Sequence, residues 1–238
     1  MLGPLVNSAI VVVGGIAGAA LGGAIPKRVK EAMPLICGIV SIGIGSAMMN
    51  RVHAIPAVAF SILAGALIGE LLLLERGLEL AIGWAQRRVE RAWPGEVGNP
   101  TAENFVIKYV TILVLFCASG MGVFGSMHEG MSGDASILLA KSVLDLITAT
   151  IFAAELGFSV ALIAVPQVLV QAFFFHIAYL LIPLVSPSMQ ADFSACGGII
   201  MLATGLRICG IKIFPIVNML PALLLAMPCS ALWSSWFG

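Results

Sequence analysis

The chain has 238 residues, 60% of them hydrophobic and only 10% charged, with a mean hydropathy of +1.08, against about 25% charged and about 45–50% apolar in an ordinary soluble domain. That composition excludes a soluble globular enzyme, and 12 basic residues balanced against 12 acidic ones exclude nucleic acid as a partner. The five cysteines, Cys37, Cys117, Cys196, Cys209 and Cys229, lie far apart in apolar segments, which fits small buried side chains rather than a disulfide framework or a metal site.

A helix needs about 20 apolar residues to cross a bilayer core of about 30 Å. Breaking the apolar runs at Pro, Gly and charge clusters predicts eight spans, near residues 3–24, 33–49, 54–74, 104–125, 135–157, 159–185, 194–209 and 212–236. Backbone groups find no water in hydrocarbon, so each span is expected to be helical. The fold class is therefore all-α, a polytopic transmembrane helix bundle forming one domain whose first partner is the lipid bilayer. No Lys or Arg precedes Lys27, so the first span lacks the charged start of a cleavable signal and is expected to be retained.

The first span carries Gly14, Gly18 and Gly22 at four-residue spacing, and the third carries Gly65 and Gly69. Close helix packing is the expected use of both. Pro4-Leu-Val-Asn7 in the first span and Pro215-Ile-Val-Asn218 in the last share a spelling. At each, proline removes a helical hydrogen bond and asparagine can either bind a ligand at the break or satisfy the freed carbonyls itself.

Ten of the 24 formal charges lie between Glu70 and Glu103. Leu78, Ile82, Val89 and Trp93 recur at helical spacing opposite Arg87, Arg88 and Arg91, so residues 75–103 read as an amphipathic interfacial helix and a turn-rich linker. They separate an N-terminal part, residues 1–74, from central helices over 104–157 and a C-terminal part over 159–238.

Phe116-Cys-Ala-Ser119 runs into a Gly-rich stretch ending at Asp134, with five glycines and two acids. Its spelling at Gly120, Gly122 and Gly125 follows no strand, so a dinucleotide site fails. The stretch is expected to be either an outer loop or an interrupted helix beside a cavity, with Ser119, Gly120, Gly122, Glu129 and Asp134 at a ligand. Lys141 and Asp145 lie one turn apart in the fifth span. They either neutralise each other or form an ion site with Lys141 as counter-charge. In Ala203-Thr-Gly-Leu-Arg207, Thr204 and Arg207 close the seventh span, where Arg207 can hold a carboxylate or phosphate, or snorkel to the interface.

An offset of 159 lays Ala32, Cys37, Gly38, Pro56 and Val58 on Ala191, Cys196, Gly197, Pro215 and Val217. Spans one to three then repeat as spans six to eight with opposite orientation, the architecture of secondary transporters. Lys27, Arg28, Lys30, Arg76 to Arg91, Arg207 and Lys212 share one side, the cytoplasm, if both termini face outward.

Phe116-Cys-Ala-Ser-Gly120, Met131-Ser-Gly-Asp134, Leu139-Ala-Lys-Ser142 and above all Ala203-Thr-Gly-Leu-Arg-Ile-Cys-Gly-Ile-Lys212 with Asn218-Met-Leu-Pro-Ala-Leu-Leu-Leu-Ala-Met-Pro228 resemble the YqgA-like family of bacterial inner-membrane proteins. The resemblance runs from Gly3 to Trp236. It implies a bacterial plasma-membrane protein and supplies no substrate, because the family's function is unknown. The expectation from the residues is a secondary transporter of a small polar or anionic solute, without cofactor or metal, with an ion channel and a membrane scaffold or sensor as alternatives. No zinc, serine-hydrolase or Walker motif suggests an enzyme, and homo-oligomerisation is left open.

Overall fold

A computed structural model describes residues 1–78, 80, 84, 100–117 and 119–237. The described residues contain helices and no strand. In chain order these are α1 (Leu2–Leu21), α2 (Lys27–Met49), α3 (Ile55–Leu71), α4 (Pro100–Cys117), α5 (Gly120–Ser132), α6 (Ser136–Leu156), α7 (Ala164–Leu181), α8 (Pro187–Ile208), α9 (Ile216–Met219) and α10 (Pro221–Phe237). Three 3-10 turns, Gly22–Ala24, Gly157–Ile163 and Ile182–Leu184, join α1 to α2, α6 to α7 and α7 to α8. Most of the interfacial helix and linker expected over 75–103 falls outside the described residues.

The expected spans are present with three differences. First, α2 and α8 are longer than expected, because Pro26 and Pro187 start them early and Ser186 accepts a hydrogen bond from Met189 N at 3.3 Å. Second, the fourth span, expected as continuous over 104–125, breaks after Cys117, and of the two readings of the Gly-rich segment the structure has the interrupted helix. Every residue from Gly120 to Met131 is buried, because its glycines admit the side chains of Ile137 and Leu138 at Gly125 and the Phe175 backbone at Gly130. Third, the last span is broken into α9 and α10, with Gly210 at φ +70° and prolines at 215 and 221.

Glycine pairings give the helix directions. Gly14 and Gly18 of α1 meet Ala149 and Ala153 of α6, so these helices run parallel. Gly122 and Gly130 of α5 meet Gln171 and Ala178 of α7 in the same order, and Gly122 and Gly125 meet Lys141 and Leu138 of α6 in the opposite order, so α5 and α7 run together and against α6. These four helices form one bundle, with α1 packed on α6 and α7, and α5 packed on the same two. The second bundle holds α2, α3, α8, α9 and α10. Within it Gly45 faces Gly198 and Gly38 faces Gly205, backbone against backbone, while Gly65 meets Ala222 of α10 and Gly69 meets Asn218 of α9. The glycine spacing at 14, 18, 65 and 69 thus serves packing as expected, whereas Gly22 faces open space at φ +51°.

A side chain at Gly18 has nowhere to go, because its Cβ would overlap Thr150 O. Gly18→Leu is expected to cost about 1–3 kcal/mol or more through overpacking, read as a lower unfolding midpoint in detergent. Gly43→Leu, where nothing lies within 4 Å, should leave the midpoint unchanged.

Candidate functional site

The break between α4 and α5 opens a cavity of about 390 Å³ between the two bundles. One wall is α6 with Lys141, Leu144, Asp145, Thr148 and Phe152; the opposite wall is α2 and α8 with Cys37, Ser41, Thr204 and Arg207. Ser119, Gly120 and Met121, the start of α5, line it between them. Six of the eleven residues selected from sequence, Ser119, Gly120, Lys141, Asp145, Thr204 and Arg207, therefore share one space. Gly122 lies just behind, with the Lys141 Cε 3.2 Å from where its Cβ would stand.

The cavity carries a charge pair at each end. Deep inside, the buried Lys141 ammonium donates to Asp145 Oδ2 and lies 5.6 Å from the Phe116 ring. Gln167 Nε2 of α7 donates to the same oxygen at 3.0 Å. At the other end Arg207 Nη1 reaches Glu75 Oε1 at 2.5 Å and Phe214 O at 3.0 Å. Glu75 Oε2 in turn accepts from Val217 N at 2.9 Å, so it binds both the guanidinium and the first turn of α9. It gets there because Leu73, at φ +52°, turns the chain back after α3, a rare conformation for a bulky residue.

Among the described residues, no side chain caps the start of α5. Ser119 makes no side-chain capping bond, so the first N–H groups of this helix and its positive dipole end lie at the cavity wall beside Lys141. Such an end suits an anionic group.

The other selected residues lie elsewhere. Asn218 is buried, but both sides of its amide are used, with Oδ1 accepting from Glu75 N at 2.7 Å and Nδ2 donating to Glu70 at 2.5 Å. Glu129 is buried at the far end of α5 and accepts from Gly3 N at 3.0 Å, capping α1. Asp134 is exposed in the turn before α6, where the Ser136 N–H at 2.9 Å holds its carboxyl below the usual range. Asn7 is fully buried on α1, and neither of its amide atoms has a partner among the described residues.

Sequence reasoning passed over Glu75, Gln167, Gln171 and the bonding of Asp192. Gln167 and Gln171 were detectable as two amides one turn apart in an otherwise apolar span. Glu75 and Asp192 were not, because their partners are 142 and 139 residues away.

This geometry defines a polytopic α-helical membrane protein with a charged cavity between two helix bundles. Residues 2–231 match the family described as "Protein of unknown function (DUF554)", and the chain belongs to that family. It is 50% identical over 237 residues to "Uncharacterized protein YqgA" of Escherichia coli (strain K12), covering 100% of this chain and 99% of that one. It is 25% identical over 233 residues to "Uncharacterized membrane protein YdfK" of Bacillus subtilis (strain 168), covering 94% and 93% of the two chains. No solved structure matches it.

The end of the molecule opposite Arg207 is tied by Asp192 of α8. This fully buried carboxylate accepts from His53 N at 2.7 Å and Ala54 N at 2.8 Å, at the start of α3, and from Ser230 Oγ of α10 at 2.6 Å. Asp192→Ala orphans all three donors and is expected to cost about 3 kcal/mol or more, against about 1 kcal/mol for Ser230→Ala. Unfolding midpoints of the two variants in one detergent would show the difference.

Proposed function

We propose that the protein is a secondary transporter of a small polar or anionic solute, bound in the cavity between the two bundles and released by alternating access. The observation that carries the reading is the cavity itself. It brings together an uncapped helix start, a buried Lys141–Asp145 pair and the Arg207–Glu75 pair, in a volume within the range of small-molecule sites. Broken helices beside a polar site are the usual means by which transporters expose backbone groups to a solute. Thr204, whose hydroxyl donates to Ile200 O at 2.8 Å, keeps its lone pairs for the same space.

The arrangement of helices supports an inverted repeat. Each half has a helix, a three-residue 3-10 turn, a long helix and a third helical element, α1 to α3 and α7 to α10. The offset of 159 carries α2 onto residues 186–208, where α8 runs from Pro187 to Ile208. Each element also packs on its counterpart: α1 on α7, α2 on α8 and α3 on α10. Because the halves split between the two bundles, α1 and α7 stand on one side of the cavity and the others on the opposite side. With Lys27, Arg28, Lys30, Arg207 and Lys212 at one end, the positive-inside rule assigns that end to the cytoplasm of a bacterial inner membrane and both termini to the outside.

The test is a screen of small carboxylates, phosphates and zwitterions by thermal unfolding of the purified protein, followed by uptake into proteoliposomes. A ligand at about 100 times its dissociation constant should stabilise the fold by about 2.7 kcal/mol. Arg207→Gln and Asp145→Asn are each expected to remove the stabilisation and the uptake. Full uptake by Asp145→Asn would take that residue out of the mechanism, and non-saturating currents would establish a channel instead.

A further inference from the structure

Behind the cavity, inside the bundle of α1, α5, α6 and α7, lies a set of buried amides that neither packing nor the charge pairs explain. Gln167 is fully buried and Gln171 is 2% exposed. Gln167 spends its Nε2 on Asp145, but its Oε1 has no partner among the described residues, and neither atom of Gln171 has one. Gln171 Nε2 stands 3.5 Å from the Cβ position of Gly122, the same position that Lys141 Cε approaches to 3.2 Å. Gln171 therefore projects to the centre of the bundle beside Lys141. Asn7 joins them from α1. The antiparallel register set by Gly15 against Ala161 brings Asn7 to the level of Gln167 and Gln171, and its amide is unpartnered as well.

Unpartnered amides are costly in an apolar slab. Here Gln167 bonds the Asp145 carboxylate directly, Gln171 stands beside Lys141, and the register of Gly3 on Leu138 and Gly14 on Ala149 sets Asn7 at the level of Ser142, so three amides with unpartnered oxygens lie within about a turn of one carboxylate. Hard oxygens of this kind suit an alkali or alkaline-earth cation. One carboxylate balances one positive charge, which favours a monovalent ion over a divalent one. The Lys141 ammonium now occupies Asp145, so a cation must compete with it. Lys141 can leave without an unpaired charge only by turning to an anion, and the start of α5 where an anion fits is within its reach.

We infer that Asp145 and the amide oxygens of Gln167, Gln171 and Asn7 form a site for a dehydrated alkali cation of the Na⁺ class, filled as Lys141 passes from Asp145 to an anionic solute in the cavity. The site rests on the transporter reading for its use, as the coupling site of a cation–anion symporter. Its occupancy is measurable without any solute.

The experiment compares unfolding midpoints of the full-length protein in NaCl and in N-methyl-D-glucamine chloride, at equal ionic strength and pH. Three proteins are used: wild type, Lys141→Met and Gln171→Leu. Lys141→Met frees Asp145, so its midpoint should rise with Na⁺ at concentrations at least about tenfold lower than wild type requires. Gln171→Leu removes two orphaned polar atoms and should be no less stable than wild type without Na⁺, yet respond to Na⁺ at least about tenfold more weakly.

Equal midpoints in both salts for wild type and Lys141→Met would overturn the site. A Na⁺ response unchanged in Gln171→Leu would overturn the ligand set. Should Lys141→Met fail to fold in either salt, the wild-type response and its loss in Gln171→Leu decide alone, and absence of both overturns the proposal. Solute uptake that persists without any Na⁺ response sinks this inference and leaves the transporter standing. A Na⁺ response without uptake of any solute does the reverse.

Discussion

A helix that starts or breaks inside an apolar slab must hand its free backbone groups to partners within the protein, because no water is there to take them. Three carboxylates of this chain serve that need. Glu129 takes the start of α1, Asp192 takes the turn into α3, and Glu75 takes the first turn of α9. In each case a negative side chain meets the positive end of a helix contributed by a distant part of the sequence, so the same contact satisfies the backbone and fixes tertiary position. Among the described residues, the start of α5 has no such carboxylate. It is on this uncapped start, with Ser119 and Gly120 at the cavity wall, that the proposed binding of a solute's negative group rests.

Close packing explains why the cavity lies where it does. α1 on α6, α2 on α8 and α3 on α10 approach through glycines whose Cβ positions fall against a neighbouring backbone or an alanine methyl. Between α6 on one side and α2 and α8 on the other, the facing side chains are instead Cys37, Ser41, Thr148 and Thr204, with Leu144 and Phe152. They are larger than glycine, and the space they hold open is lined mostly by apolar surface with the two charge pairs and a few hydroxyls set into it. Stability and site thus come from one rule applied with different residues: glycine where helices must touch, and small polar side chains where they must not.

The sequence could be read for whatever depends on local composition. Run lengths located the apolar helices, six stretches of which are long and apolar enough to cross a membrane among the described residues, and charge in apolar surroundings singled out Lys141, Asp145 and Arg207, all three of which the fold places in the cavity. Whatever depends on distant partners was hidden. Asn218 looks like a ligand in isolation, but Glu70 and the Glu75 backbone use both sides of its amide. Residues 120–132 could be read as either a loop or an interrupted helix because glycine disfavours an isolated helix; burial among α6, α7 and α8 decides for the helix, since glycine alone fits against Phe175 and Phe124 needs the gap at Gly197. Gln167 and Gln171 are neutral, and a search guided by charge passes over them.

The distribution of polar contacts bears on how such a protein could move. Lys141, Asp145 and Gln167 belong to one bundle, and Arg207, Glu75, Glu70 and Asn218 to the other, so the two charge pairs at the cavity are each closed within one bundle. Among the described residues, the polar contacts that cross between bundles are weak: the Cys37 thiol to Thr148 beside the cavity, Ser194 to His128 at 3.5 Å near one end, and Lys30 to Glu155 at 3.9 Å near the other. An ion pair of the last kind, with Glu155 about half exposed, contributes on the order of 1 kcal/mol or less. The remaining join is apolar, centred on Phe124 against Phe193 and Gly197 toward the Asp192 end. On the transporter reading proposed above, a rocking of one bundle on the other about that aromatic contact would open or close the cavity without pulling either charge pair apart between bundles, so the charge of whatever fills the cavity and the Asp145 site would bias the motion. That places control of the motion with the occupant of the cavity, which is what coupling requires.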